Sequence, residues 1–492
     1  MNDFVVGLML LGAVSQGESL PFWAYSNQYG LMPQSNGALA VLNARTSYDE
    51  SKTFQWCWGA SLAANYEFSE SGNVMVDELY ASARVKCISL DLGIKHRDRL
   101  FLAPGQTLGS LSSSSGHIVE SGNARSMPGY TLNLEPLAIP FTKEKLWISG
   151  SYGDYKTLDN RYMKGALVHR MRAYLRFNCT EHFYIRAGID HYALWGGHND
   201  AMNDMDISFS NYFRIITGRS ADASGTLSDQ INVIGDHGGA EHFSLGYHND
   251  EWSLTAQLEK PYNDKSGMRF QNIPDGLYTL HFGYTDKNRW ISDILLEYHY
   301  TLWQSGTYHD RAATEEELPY LDKDDYYGAK GRIVIGGLDN YFNNGEYASG
   351  WTYYGYSICS PLMVPKGTHD GTWDPSEVVK GIENSRLRAA HIGIGGKLFK
   401  KAPYKLMLTA SWNYGTYSKP YVGSSTIYTD WNWWQKNTVD KPLRQLCASF
   451  NGEIPILPWL SSVYGIYADY GSLLPRQIGA TVGIKMFLHQ IK

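Results

Sequence analysis

The sequence is poor in cysteine, and its few cysteines are far apart. Five occur among 492 residues, at Cys57, Cys87, Cys179, Cys359 and Cys447, with no CxxC pair. Structural zinc sites and disulfide-stapled domains both need cysteines at short, regular spacings. We therefore predict neither, and expect these residues to be small apolar side chains in strands, with one long-range disulfide as the alternative.

Charged residues are also scarce, and none of them form a basic cluster. Lys, Arg, Asp and Glu make up 19% of the chain and the net charge is −6, whereas an average soluble domain has roughly 25% charged residues. A nucleic-acid partner would need a basic patch to neutralise phosphates, so we predict none. The motifs GxSxG, HExxH and GxxxxGK[ST] are absent as well. We accordingly predict a protein that is not an enzyme and has no cofactor.

No apolar run is long enough for a membrane-spanning helix, which needs about 20 residues. The longest run extends from Phe4 to Val14, and Ala13-Val14-Ser15 provides small residues where a signal peptide is cleaved, although no basic residue precedes it. We predict that residues 1–15 are a signal peptide and that residues 16–492 form a single domain. An apolar N-terminal strand or short helix is the alternative.

Aromatic residues and glycine, by contrast, are abundant, and apolar and polar residues alternate along the chain. Phe, Trp and Tyr make up 14%, and glycine contributes 49 residues. From Leu167 to Asn178, one face is mostly apolar and the other carries Arg170, Arg172 and Arg176. Such runs last about 10 to 13 residues, the length of a tilted strand that crosses a bilayer; a soluble β-sandwich is the alternative. Other runs extend over 75–86, 88–95, 183–190, 294–303, 404–414 and 478–488.

The connections between these runs alternate between short and long, as in outer-membrane barrels with short periplasmic turns and long external loops. We predict an all-β, transmembrane antiparallel β-barrel of roughly 16–20 strands, with 18 favoured, in the outer membrane of a Gram-negative bacterium. Residues 183–195, 291–303 and 404–417 then rise outward, which places Trp195, Trp303 and Tyr417 near the outer rim. Short connections are expected at 70–73, 178–182, 286–288 and 400–403, and long ones at 104–130, 196–229, 304–325, 360–385 and 418–441.

Several charged residues fall on the face that this barrel turns inward. Arg170, Arg172, Arg176, Arg186 and Glu297 predict a lattice of arginines and carboxylates that satisfies charge inside the lumen. Two of the inward carboxylates could instead act as acid and base on a glycoside; we favour the lattice. The histidines show no spacing typical of metal ligands, so we predict no metal site. The other carboxylates and histidines considered are Asp190, Glu259, Asp264, His191, His198, His237 and His299.

Aromatic residues next to polar ones at the predicted outer ends suggest polysaccharide binding. An indole ring stacks on the apolar face of a sugar, and neighbouring carboxylate, amide and imidazole groups bond its hydroxyls. The alternative is that the tryptophans belong to the aromatic girdle at the lipid interface. The candidate ligand-binding residues are Asp190, His191, Trp195, His198, Asp200, Trp303 and Gln304.

Short segments spread over most of the chain resemble, in order and spacing, the Wzi-type capsule assembly family of outer-membrane proteins, in the form found in Bacteroides-like bacteria. The resemblance implies a non-catalytic, lectin-like barrel that holds capsular or other surface polysaccharide, in contact with outer-membrane lipids and with capsule export machinery. A diffusion porin for sugars or anions is the alternative function, and a membrane-embedded hydrolase is a third. The segments are Leu20-Pro21-Phe22-Trp23 with Tyr29-Gly30, Arg125-Ser126-Met127-Pro128, Ile139-Pro140-Phe141, Leu167-Val168-His169, Trp195-Gly196-Gly197, Asp264-Lys265-Ser266-Gly267, Glu297-Tyr298, Gln304-Ser305-Gly306, Asp339 to Asn344 and Gly350-Trp351-Thr352-Tyr353.

Overall fold

The computed structural model describes residues 4–68, 72–96, 113–200, 203–220, 233–306, 309–316, 318–320, 332–416 and 441–491. Within these ranges, one 18-stranded sheet dominates. Its strands, numbered in chain order, are β1 Phe4–Ser15, β2 Gly37–Thr46, β3 Phe54–Glu67, β4 Gly72–Val85, β5 Ile88–Ile94, β6 Gly129–Ala138, β7 Leu146–Lys156, β8 Leu167–Asn178, β9 Phe183–Trp195, β10 Asp236–His248, β11 Trp252–Tyr262, β12 Gly276–Tyr284, β13 Asp293–Tyr300, β14 Leu387–Leu398, β15 Ala402–Asn413, β16 Leu443–Leu457, β17 Leu460–Gly471 and β18 Gln477–Ile491.

The sheet closes on itself because its first strand pairs with both its second and its last. Leu8 lies opposite Leu42 of β2 and opposite Met486 of β18, and both pairings are antiparallel. The remaining strands pair in chain order, each antiparallel to the next. A closed cylinder leaves no strand edge without hydrogen-bond partners. The prediction of an all-β antiparallel barrel with 18 strands is therefore confirmed.

Strand β1 corrects the assignment of residues 1–15 to a signal peptide. Phe4–Ser15 lies in the barrel wall, where it makes the pairings that close the cylinder. The segment fits a strand as well as a signal-peptide core because an apolar run of this length satisfies both patterns. The apolar N-terminal strand, which was the alternative, is what the structure contains, and the barrel domain includes residues before position 16.

Side chains alternate between a buried inner face and an exposed apolar outer face. In β15, Lys405, Met407 and Thr409 point inward and are buried, whereas Leu406 and Leu408 point outward and are 40% and 41% exposed. Leucine, isoleucine and aromatic side chains continue this belt around the outer surface. A belt this extensive suits a hydrocarbon surrounding and not water.

The connections fall into a short-turn end and a long-loop end. Turns 179–182, 249–251, 399–401 and 458–459 lie at the first end. The connections that leave β5, β9 and β13 lie at the second, and because the strands are antiparallel, the long-loop end also holds the connection between β3 and β4. The prediction that 70–73 is a turn at the short-turn end is therefore wrong. Residues 69–71, like Tyr417, lie outside the described residues.

Helices are few and short among the described residues. They are α1 Phe22–Tyr25, α2 Phe209–Thr217, α3 Lys265–Met268 and a 3-10 turn at Leu318–Tyr320. In the described part of the chain, no helix has the length and apolar character needed to span a membrane. The five cysteines are all free thiols. Small two-stranded ribbons pair His198–Asn199 with Asn203–Asp204, His309–Ala312 with Arg332–Gly336, and Thr352–Tyr353 with Tyr356–Ser357.

Candidate functional site: the occluded barrel interior

A pair of arginines on the inner face of β8 neutralises one glutamate from the loop between β5 and β6. Arg170 Nη1 lies 2.5 Å from Glu120 Oε1, and Arg172 Nη2 contacts the other carboxylate oxygen. Arg172 Nε also approaches Asp190 Oδ2 of β9 at 3.6 Å. Period-two alternation brings these side chains to the inner face of their strands. The lattice fixes the loop to the wall because breaking it would leave buried charge uncompensated.

Two further arginines lie nearer the short-turn end and share an aromatic ring. Arg176 and Arg186 are directly opposite each other on β8 and β9. Their guanidinium carbons lie 4.2 Å and 5.5 Å from the centre of the Tyr184 ring. Arg176 Nε also donates to Asn178 Oδ1 at 2.8 Å. Cation–π contacts and this hydrogen bond offset the repulsion between the facing charges, so the inner wall here is positive.

A polar segment, residues 113–121, crosses the interior from one wall to another, and we call it the strap. Its first part is held by β13 and β14: His391 Nε2 donates to the Ser113 carbonyl oxygen at 2.8 Å. Ser114 Oγ donates to Glu297 Oε1 at 2.7 Å, and the backbone N–H of Ser115 donates to Glu297 Oε2 at 2.8 Å. Glu297 therefore belongs to the strap's attachment, whereas the sequence predicted arginines as its partners.

Glu259 of β11 holds the middle of the strap, and Glu120 holds its end. Glu259 is fully buried and accepts from the backbone N–H groups of Ile118 and Val119 at 3.1 Å and 3.3 Å. His117 Nδ1 lies 2.8 Å from the second Glu259 oxygen. A buried carboxylate is tolerated only where donors surround it, and a loop backbone needs acceptors. The wall and the strap satisfy each other's groups.

Above the strap, aromatic loop residues form a buried core that fills the long-loop half of the barrel. Trp351 is fully buried, and its ring stacks on Tyr192 of β9 with centroids 3.9 Å apart. Trp351 Nε1 donates to the Val119 carbonyl oxygen of the strap at 2.6 Å. In the loop between β1 and β2, which we call the first loop, the Phe22 N–H donates to Asp469 Oδ2 at 2.7 Å and Trp23 Nε1 donates to Thr409 Oγ1 at 3.2 Å. We call these packed residues the loop core; others in it are Leu20, Met32, Ile118, Tyr341, Tyr347, Tyr353, Cys359, Met363 and Ile382.

The loop core also buries two carboxyl groups, Asp275 and Asp339. Asp275 accepts from the backbone N–H groups of Trp303 and Gln304 at 2.9 Å and 2.6 Å, while burial raises its pKa to about 7. Asp339 accepts from Ser305 Oγ at 2.6 Å. Burial and the nearby Asp264 carboxylate raise the pKa of Asp339 to about 8. These groups are structural, since each is enclosed by loop residues.

The structure divides the candidate residues of β9 between the two sides of the wall. Asp190 points inward, where Tyr174 and Arg172 contact it. His191 and Trp195 point outward because consecutive strand residues face opposite sides. Trp195 lies under α2, with its ring 5.5 Å from Tyr212. The interpretation of residues 190–200 as one cluster at the rim is therefore corrected, because the strand turns its neighbouring residues to opposite sides of the wall.

The remaining polysaccharide candidates also lie apart. His198 and Asp200 form an exposed pair on the loop after β9, with Nε2 3.1 Å from Oδ1. Trp303 is partly buried, and its indole N–H donates to the Gln271 carbonyl oxygen at 2.7 Å. Gln304 is fully buried and its amide donates to the Ser385 carbonyl oxygen at 2.8 Å. The structure therefore does not gather these residues into one site, and their sugar-binding role stays a prediction.

Sequence reasoning missed the residues that carry most of the interior structure, namely Glu120, His117 and Trp351. Glu120 and His117 lie in a stretch that reads only as an irregular loop, because their partners are distant in sequence. The serine run that begins the strap was visible as a polar tract. Trp351 could be noticed only as part of a short Gly-Trp-Thr-Tyr segment.

Among the described residues, one trio has geometry suited to a metal ion, although the sequence predicted none. Ligand atoms of Asp77, Glu78 and His96 all lie within 4.8 Å of one another. The register of β3 and β4 shifts at Ser61, where a bulge leaves Asp77 unpaired. Asp77 Oδ1 lies 2.7 Å from His96 Nε2, and Glu78 Oε1 accepts from the His96 N–H at 2.8 Å. These hydrogen bonds join the three side chains to one another, and they tie His96, which follows β5, to β4.

No protein-family model and no curated protein matches this sequence. Among solved structures, the chain is similar to Wzi, an outer-membrane protein involved in group 1 capsule assembly in Escherichia coli and described as a carbohydrate-binding β-barrel, at 11% identity, with 97% of this chain and 84% of that chain covered and a TM-score of 0.52. OccAB2 of Acinetobacter baumannii matches at 11% identity over 100% of this chain and 98% of that chain, with a TM-score of 0.44. OprD of Pseudomonas aeruginosa matches at 10% identity over 99% of this chain and 96% of that chain, also with a TM-score of 0.44. The similarity to Wzi shows the fold: the chain is a closed barrel of the outer-membrane type.

Proposed function

We propose that this protein is an outer-membrane barrel that binds capsular or other surface polysaccharide at its long-loop end and does not conduct solutes. The observation that carries the proposal is the loop core with the strap beneath it. Trp351, Tyr341 and Met363 are fully buried in the long-loop half of the barrel. An apolar, close-packed interior is unsuited to an aqueous path and well suited to a rigid platform.

The similarity to Wzi supports a carbohydrate ligand, as does the order of the sequence segments that resemble its family. In the proposed orientation, the short-turn end faces the periplasm and the loops face outward, as in outer-membrane barrels generally. The apolar belt of the outer face then contacts lipid. Capsule export machinery is the partner that we propose at the periplasmic face, and the polymer is the partner at the outer face.

The candidates that keep some exposed surface provide a test of where the polymer binds. We expect that the double variant His198→Ala/Asp200→Asn and the single variant Trp303→Ala each weaken binding of the source organism's capsular polysaccharide by severalfold, because they remove hydrogen bonds and a stacking surface. Surface plasmon resonance with purified barrel and polymer measures this. Trp290→Ala is the matched control, since Trp290 is exposed in the turn between β12 and β13, at the end of the barrel opposite the long loops. Wild-type binding by all three variants would remove these residues from the site, and no binding by the wild-type protein would contradict the proposal itself.

A diffusion porin for sugars or anions is the second candidate, and the positive inner wall favours it. Arg176 and Arg186 line the short-turn half of the interior and are only partly buried. Such residues can select anions where an open path exists. Planar-bilayer recordings separate the two functions, because stable open currents from the wild-type protein would favour transport.

We further propose that the barrel has no catalytic activity. The inward carboxylates that could form an acid and base pair, Glu259 and Glu297, each accept hydrogen bonds from the strap. A carboxylate held in this way is shielded from a polymer substrate by the strap itself. Release of sugar products from capsule by the wild-type protein, lost in Glu297→Gln, would contradict this proposal.

A further inference from the structure

Helix α2 lies on the outside of the barrel, against the last residues of β9. Ala193 and Trp195 occupy the outward face of that strand, opposite to Tyr192 and Leu194, which point into the loop core. Ile215 of α2 is fully buried against them. The helix is therefore attached to the outer wall near the long-loop end.

A polar contact fixes the same helix in one orientation. The Tyr212 hydroxyl donates to Asp154 Oδ2 of β7 at 2.7 Å and lies 2.6 Å from the Tyr152 hydroxyl. Asp154 also lies 2.9 Å from His169 Nδ1 of β8. These outward-facing groups bond to one another beneath the helix. Hydrogen bonds of this kind set the rotation of α2 about its axis.

The opposite face of α2 is apolar and exposed. Phe209 and Phe213, one turn apart, are 81% and 53% exposed, and Ile207 just before the helix is 61% exposed. A helix that is apolar on two opposite faces requires two apolar surroundings. The barrel wall supplies one of them, and within the part of the chain that the structure describes no residue covers the other.

The apolar belt lies on the same outer wall as α2. Below α2, outward side chains of β8 and β9 such as Leu175 and Ile185 are 45% and 42% exposed. Beyond the helix C-cap at Gly218, Arg219 is exposed, and Arg214 is half-buried in the last turn. An apolar face next to basic residues is typical of helices that lie in a membrane interface and attract anionic lipids.

We propose that α2 is an interfacial anchor that binds the outer lipid leaflet, with Phe209, Phe213 and Ile207 among the acyl chains and Arg219 against anionic headgroups. The proposal rests on the membrane location given above. It commits to lipid as the occupant because the exposed stripe lies on the same outer wall as the belt that lipid covers, next to basic residues. The anchor holds the loop between β9 and β10 at the membrane surface.

Hydrogen–deuterium exchange of residues 209–217 tests the proposal in the full-length protein reconstituted in phosphatidylcholine vesicles, with and without phosphatidylglycerol. Phe209→Ala/Phe213→Ala should speed exchange of the helix by about tenfold, because it removes burial in lipid that stabilises the closed form. Alanine is the better helix former, so in water the same change would leave exchange equal or slower. Arg219→Gln should remove only the additional protection given by phosphatidylglycerol.

Phe141→Ala provides a matched control, since Phe141 is a fully exposed phenylalanine in the turn between β6 and β7 at the opposite end of the barrel. It should leave exchange of α2 unchanged. Wild-type exchange in the Phe209→Ala/Phe213→Ala variant would overturn the proposal. Flotation of the vesicles distinguishes the two levels of failure: protein that does not float contradicts the membrane location, whereas protein that floats with α2 insensitive to the variants contradicts the anchor alone.

Discussion

At the scale of single residues, the buried carboxyl group of Asp339 makes the loop core sensitive to pH. Its pKa rises from 3.8 to about 8 because burial and the Asp264 carboxylate disfavour the charged form. A folded-state pKa above the unfolded value means that the folded protein binds more protons between these limits. The contribution to stability is complete below the unfolded pKa and is lost as pH rises through about 8.

We therefore expect the melting temperature of the loop core to fall between about pH 4 and pH 8 in the wild-type protein. Asp275, with a pKa raised to about 7, acts in the same direction. In Asp339→Asn, the melting temperature should fall less steeply with pH, since Asp339 has the more strongly raised pKa of these two carboxyl groups. Scanning calorimetry at several pH values measures both. An unchanged slope in the variant would show that Asp339 does not set the pH dependence.

Residue identities predicted the wall of the barrel better than its interior. Alternation along Leu167–Asn178 predicted which side chains point inward, because a strand allows only two faces. The same rule explains why Asp190 and His191 could not share a site. The strap contacts join residues that are far apart in sequence. The Ser115 N–H donates to Glu297, and the Val119 N–H donates to Glu259. No local pattern in the sequence encodes such contacts.

At the scale of elements, the strap depends on the acceptor that the wall supplies. Glu259→Gln removes the negative charge that accepts from the backbone N–H groups of Ile118 and Val119, and it turns the other oxygen into a donating NH2 group beside His117 Nδ1. We expect a loss of about 2 to 3 kcal/mol in the free energy of unfolding and faster hydrogen exchange of residues 113–121. Glu181→Gln, at an exposed turn position, is the control and should change neither. Equal exchange in both variants would contradict the role of Glu259.

The first strand offers a second test at this scale. Removal of residues 1–15 leaves β2 and β18 as unpaired edges, so we expect the shortened protein not to form a closed barrel. Electrophoresis with and without heating reports this, because a closed barrel resists denaturation by detergent and migrates differently from the unfolded chain. Removal of residues 1–3 alone serves as the control. A heat-modifiable band from the shorter protein would restore the signal-peptide interpretation.

At the scale of the whole molecule, the barrel wall and the interior have separate roles. Length and alternation fix the number and tilt of strands, which is why roughly 18 could be predicted from the sequence. The packing of the loops inside the barrel could not be predicted, because it joins loops that are far apart in sequence. The loop core combines the first loop, the strap and the segment that contains Trp351.

We expect the intact protein to show little conductance in planar bilayers, and Trp351→Ala to raise it. The substitution removes the stacking on Tyr192 and the bond to the strap, and a buried tryptophan replaced by alanine costs about 3 to 5 kcal/mol and leaves a cavity. Trp290→Ala, at an exposed position in the turn between β12 and β13, is the control. Large open currents from the wild-type protein would contradict a closed lumen, and no change in Trp351→Ala would show that the core does not act as the closure.

The pairing of β1 with β18 has a consequence for biogenesis. The strand that closes the sheet on one side of β1 is the last of the eighteen, so β1 lacks a partner on that side until β18 is in place. During that interval its apolar residues are open to aggregation. A chaperone that shields Phe4–Ser15 during transit would thus be as necessary to the finished cylinder as the machinery that inserts it.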